Sequence, residues 1–230
     1  MDKFTEIKEE ILCRAKESKA CVEQYKRALE SQTLAELAQV IKDNFTWCCN
    51  NKVLDVEIIE KYKSEFATVE IYANESISSG YVVIDGEVEK LSGSAVAKMC
   101  GNATVTKMCD NSTVTKMCGN ATVTKMWDNS TVTKMCGNAT VTKMCDNSTV
   151  TEMCGNSTVT EMWDNSTVTK MWDNSTVTKM CGNSTVTEMW DNSYISTYIY
   201  IECKINDNAI MRVRSENKIY TNTTVEKPKL

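Results

Sequence analysis

The sequence predicts an α+β chain in which a small N-terminal helical domain leads into a β-solenoid of nine-residue repeats, two units per coil, ending in a β cap. Three observations carry this. Apolar residues fall at helical spacing up to about residue 66, a tandem repeat runs from Ala95 to Ser193, and the repeat then dissolves into bulky strand formers.

Residues 1–66 read as short packed helices. Phe4, Ile7, Ile11 and Ala15 form one apolar stripe, Val22, Tyr25 and Leu29 a second, and Leu34, Leu37, Val40 and Ile41 a third. Thr33 followed by Glu36 fits a capping box, and Asp55 is placed to cap Val56 to Tyr62. Phe45 and Trp47 are expected in the core.

Over residues 67–94 the composition shifts to strand formers, with Val69, Ile71 and Tyr72, then Tyr81 to Ile84, punctuated by Gly80 and Gly86. The stretch Glu87 to Ser94 matches the later repeat with one residue missing, so it reads as a degenerate first unit. Residues 95–193 are the solenoid, beginning Ala95-Val96-Ala97-Lys98-Met99-Cys100-Gly101-Asn102-Ala103. Residues 194–220, with Tyr194, Ile195, Tyr198 to Ile201 and Ile210 to Val213, are expected to cap the open end, and 221–230 to be a loose tail.

Nine residues are too few to close a coil around a core, so two or three units must share one. Gly101, Asp110, Gly119, Asp128, Gly137, Asp146, Gly155 and Asp164 alternate at the seventh position, which doubles the period to 18 residues and favours two. Within a unit, Thr113-Val114-Thr115 alternates as a strand with Val inward. Lys116 would then point inside. Burying a charge in every unit is prohibitive, so the chain must bend there and return Met117 to the core. The invariant Asn, as in Asn120, is expected to form a ladder bonding the backbone of the turn. Five or six coils would make a rod of about 25 to 30 Å.

The 230 residues carry a net charge of -5 with no basic block, which argues against nucleic acid as a direct ligand and against an anionic membrane. No apolar run is long enough to span a bilayer, and Met1 to Glu10 is charged, so a cytoplasmic location is expected. Of the twelve cysteines, Cys100, Cys109, Cys118, Cys136, Cys145, Cys154 and Cys181 are one column of the repeat, where they interchange with Trp. Such a column reads as reduced thiols rather than crosslinks. With no Cys-x-x-Cys and no histidine, zinc is not expected. The absence of histidine also leaves a cysteine nucleophile without its usual base, so the protein is read as non-enzymatic and without a cofactor.

A column that accepts both Cys and Trp must lie at a corner or on the surface, because Trp would overpack a tight core. Trp127, Trp163, Trp172 and Trp190 are therefore the expected partner-binding residues, together with the lysine row Lys107, Lys125, Lys143 and Lys179. With two units per coil, Trp172 and Trp190 fall on one side of adjacent coils and Trp127 and Trp163 on the other, two coils apart. A protein partner is expected, with self-association as the other possibility.

The Gly-Asn-Ala-Thr-Val and Asp-Asn-Ser-Thr-Val units resemble nonapeptide repeats of uncharacterised bacterial and phage proteins. A phage source implies an inhibitor of a bacterial defence system such as CRISPR-Cas. The Thr-x-Thr triplets, from Thr104 and Thr106 to Thr185 and Thr187, are similar to those of insect antifreeze proteins, which implies ice binding as the alternative function. Each triplet, however, is followed by Lys or Glu, which disturbs a flat ice face. The repeat length is also similar to that of calcium-binding β-rolls, but one Asp per 18 residues supplies too few oxygens for that ion.

Overall fold

A computed structural model describes residues 2–222. All but two residues of the expected tail, 221–230, lie outside them.

Six helices come first: α1 (Lys3–Glu17), α2 (Val22–Glu30), α3 (Leu34–Asp43), α4 (Phe45–Asn50), α5 (Val56–Lys61) and α6 (Lys63–Thr68). Their starts are set by the expected caps. The Asp55 carboxylate accepts from the Ile58 N–H at 3.0 Å, and Thr33 Oγ1 accepts from the Glu36 N–H at 3.2 Å. Glu36 reaches back to the Gln32 N–H, one residue before the cap, rather than to Thr33 itself. Ile7, Ile11, Leu37, Ile41, Leu54, Ile58, Ile59 and Phe66 make the helical core. Two apolar expectations fail. Helix α2 buries only Ala28, leaving Val22 and Leu29 exposed, and Trp47 sits at the surface while Phe45 is buried.

The strands follow: β1 (Ile71–Ala73), β2 (Tyr81–Ile84), β3 (Glu87–Leu91) and β4 (Val96–Met99). Ten strands of five residues then recur at nine-residue intervals: β5 (Thr104–Met108), β6 (Thr113–Met117), β7 (Thr122–Met126), β8 (Thr131–Met135), β9 (Thr140–Met144), β10 (Thr149–Met153), β11 (Thr158–Met162), β12 (Thr167–Met171), β13 (Thr176–Met180) and β14 (Thr185–Met189). The last four are β15 (Tyr194–Thr197), β16 (Lys204–Ile205), β17 (Ile210–Val213) and β18 (Lys218–Tyr220).

Even-numbered strands stack into one nine-stranded sheet, headed by β1, and odd-numbered strands into another, ended by β18. Pairing is parallel and in register at 18 residues, as in Val150 with Val168 and Met153 with Met171, so two units make one coil. The strands before and after the repeat join the same two sheets. At about 4.8 Å per strand, nine strands span about 38 Å, longer than the repeat alone suggested.

In every repeat strand Val and Met are buried, and the three other residues face outward. The bend expected at the lysine is present: Thr115 and Lys116 both point out, and Met117 returns inside. Turns at both edges have a positive φ at the seventh position, 61° at Gly101 and 58° at Asp110. Glycine takes that conformation without strain, and Asp tolerates it. Each Asp compensates with a hydrogen bond, its carboxylate accepting the N–H one coil earlier, as Asp128 does from Asp110 at 3.1 Å. The Asn ladder exists but differs from expectation. Asn120 Nδ2 donates to Asn102 Oδ1 at 3.0 Å and Asn138 Nδ2 to Asn120 Oδ1 at 3.1 Å, side chain to side chain rather than to the turn backbone.

The missing residue lies elsewhere than expected. Val96 pairs with Thr113, Ala97 with Val114 and Lys98 with Lys116, so the gap is inside β4. Ala95 is buried as the last residue of the first unit, and Ala97 fills the Val column.

Candidate interaction surface

The helices dock on the outer face of the first sheet near its start. Tyr81, Val83 and Val96 join the helical core from the strands, and Phe45 meets Tyr81 edge-on at 5.0 Å between ring centroids. Further along that face Lys116 reaches Asn50. Lys98, in the shortened strand, is buried. On the second sheet's outer face, Thr106, Lys125, Thr142 and Thr178 are open to solvent.

All eight residues singled out from the sequence lie on the coil surface, and six of them form two clusters. Trp127 follows β7 and Trp163 follows β11, two coils apart on one edge. Lys107 Nζ stands 4.2 Å from the Trp127 ring centroid and Lys125 Nζ 5.7 Å. Lys143 and Lys179 flank Trp163 at 5.3 and 4.6 Å. Each indole thus accepts a cation from the coil before it, its own strand or the coil after it, an attraction of about 0.5–1 kcal/mol at exposed sites. On the opposite edge Trp172 and Trp190 stack across adjacent coils. None of the four indoles is fully exposed; each is half-buried along its neighbours.

Three contributors escaped the sequence reading. Trp163 Nε1 donates to Glu161 at 2.9 Å and Trp190 Nε1 to Glu188 at 3.3 Å, while Lys204 lies 5.0 Å from the Trp190 ring. The indole hydrogen bond, joined by Lys179, holds the Glu161 carboxyl below its ordinary value. A signal was present: in Glu161-Met162-Trp163 and Glu188-Met189-Trp190 the acid and the indole flank an inward Met, so both face out. Lys204 carried none, because it lies outside the repeat.

The described residues also include a trio that could hold a cation, Cys109, Asp110 and Asp128, with ligand atoms within 4.8 Å of one another. Its carboxylates are engaged in the turn ladder, where Asp110 accepts from Gly93 and Asp128 from Asp110. In the helical region a cleft of about 220 Å³ opens under α2, lined by Tyr25, Leu37, Val40, Trp47 and Cys48 among others. It exists because α2 packs through little more than Ala28. Burial pushes the thiols of Cys48 and Cys49 up to about 12. Among the described residues no helix is long and apolar enough to cross a membrane.

Compared with family models, curated proteins and solved structures, the chain has no match.

Proposed function

We propose that the protein is a non-enzymatic binding solenoid whose second sheet presents a charged face to an acidic region of a protein partner. The observation that carries this is the stacking of like charges in register: Lys90 beside Lys107, Lys107 beside Lys125 and Lys125 beside Lys143. Like charges directly opposite one another on strands are destabilising. The fold does not demand lysine there, because Glu152, Glu161 and Glu188 occupy the equivalent position in other strands. Where Glu161 intervenes it pairs with Lys179 at 3.4 Å. An unbroken lysine run that alternating Glu would relieve supports a function for the charge, and an acidic partner would supply the missing counter-charge. The rings of Trp127 and Trp163 hold three of these ammonium groups, those of Lys107, Lys125 and Lys143, at fixed positions, reducing the ordering cost of binding.

Ice binding is less well supported. A flat rank of Thr is needed, and the bend places a third outward residue, Lys or Glu, beside every Thr pair.

The test is affinity purification of tagged protein from bacterial lysate treated with nuclease, comparing the natural chain with K107E/K125E/K143E. A stoichiometric protein partner that is captured at low salt, released at high salt and lost with the variant supports the reading. A defence-system nuclease as that partner would identify the protein as an inhibitor. Equal capture by the variant, or no partner at all, overturns it.

A further inference from the structure

The two edges of the solenoid differ in how they use the Cys/Trp column. On the edge after the even-numbered strands, Cys100, Cys118, Cys136 and Cys154 follow β4, β6, β8 and β10, one on each of four successive coils. On the other edge Cys109, Cys145 and Cys181 are separated by Trp127 and Trp163, so no two thiols there are on adjacent coils.

The four thiols of the row are placed alike. The thiols of Cys118, Cys136 and Cys154 lie 3.4, 3.3 and 3.3 Å from the carbonyl oxygens of Met99, Met117 and Met135, one coil back. Cys100 is placed the same way against Ile84 at 3.7 Å. The backbone N–H of each donates to that same carbonyl, as Cys136 does at 3.0 Å. The sulfurs therefore repeat with the coil spacing, about 4.8 Å. All four are half-buried and reachable from solvent.

That spacing selects among the reactions open to thiols. A disulfide needs its Cβ atoms about 3.5–4.5 Å apart, so neighbouring coils would have to close up. Zinc takes four ligands in a tetrahedron, and a straight row brings at most two sulfurs to one point. An ion satisfied by two soft ligands fits between adjacent sulfurs. We propose that the Cys100–Cys118–Cys136–Cys154 row binds copper(I), one ion between Cys100 and Cys118 and one between Cys136 and Cys154.

Thiolates favour soft copper(I) over hard cations. For each ion two S–H bonds break, two Cu–S bonds form and two protons pass to solvent; the metal stays in the +1 state. Each bis-thiolate site carries one net negative charge. Lys98 and Lys116, two residues before Cys100 and Cys118, supply compensating charge at the first site. At the second, Lys134, two residues before Cys136, shares its charge with Glu152 at 3.1 Å, and each of the three lysines favours the thiolate of a nearby row member. Burial opposes them by raising the thiols of Cys100, Cys136 and Cys154, so binding weakens as pH falls.

The experiment is an anaerobic titration of the full chain with copper(I) against a chromophoric copper(I) chelator. Two equivalents should resist the chelator in the natural protein and in C109A/C145A/C181A, and both should be lost in C118A/C136A. Equal retention in all three proteins, or equal loss in both variants, overturns the proposal. If C118A/C136A loses its strand signal in circular dichroism, alkylation of the natural protein decides instead. Copper(I) should shield Cys100, Cys118, Cys136 and Cys154 and leave Cys145 and Cys181 reactive; uniform labelling overturns the assignment.

Discussion

Trp172 and Trp190 lie face to face across adjacent coils, their ring centroids 5.1 Å apart and their planes inclined by 12°. A stacked pair contributes about 0.5–1.5 kcal/mol beyond the area it buries. A double-mutant cycle with W172S, W190S and both together should return a coupling energy in that range from thermal unfolding. Additive losses would show that the stack contributes only burial.

Each coil touches only its neighbours, so the solenoid should tolerate loss of a whole one. Deleting Thr113 to Ser130 removes β6 and β7 with the turn after each, and joins Ser112 to Thr131, the residue that pairs with Thr113, in the same register. The shortened protein should remain soluble with an unchanged strand signal per residue. Collapse of the circular dichroism spectrum would contradict independent coils.

Among the described residues seven buried serine hydroxyls, including those of Ser148, Ser166 and Ser175, have no hydrogen-bond partner. Ala121 and Ala139 fill the same place in other units, fully buried. An unsatisfied buried hydroxyl costs about 1–3 kcal/mol. S148A and S166A should therefore raise the melting temperature or leave it unchanged. A clear fall would mean that these hydroxyls are bonded in solution.

Acid should loosen the chain through carboxylates that are held below their ordinary values in the fold. The Gly93 N–H, then the Cys109 thiol, lower Asp110 from 3.8, and Arg27 with Gln39 lower Asp43. A depressed carboxyl contributes stability that is present above its unfolded value and lost as pH falls through its folded one. Stability should hold from neutral pH down to about pH 4 and fall below it. Urea melts across that range check this, and D110N should have a shallower acid limb.

Much of the architecture could be read from the chain because it is repeated. Alternation of Gly and Asp from Gly101 to Asp164, broken only at Asp173, implied the 18-residue coil, and the prohibitive burial of Lys116 implied the bend. Departures from the repeat were harder. Ala95-Val96-Ala97 fits the pattern in two registers, and only the burial of both alanines decides between them. Val22 and Leu29 sit at helical spacing, yet spacing alone does not say whether a partner helix arrives to cover them. The Trp and Lys residues were found one by one, but their pairing was hidden because contacts such as Lys107 with Trp127 cross from one coil to the next.

The Asn ladders have a direction. In both, every amide donates toward the start of the chain, as Asn138 does to Asn120 and Asn147 to Asn129, and the strand N–H groups at the edges point the same way. The amide dipoles of each ladder therefore add along the axis, positive toward the first coil, while turn N–H groups such as those of Asp110 and Asp128 donate the other way to the next coil's carboxylate. Every coil is thus tied to both neighbours at its corners by side chains of opposite sense, and a chain cut between two coils would leave amide donors unpaired on one face and carboxylate acceptors on the same face without their N–H partners.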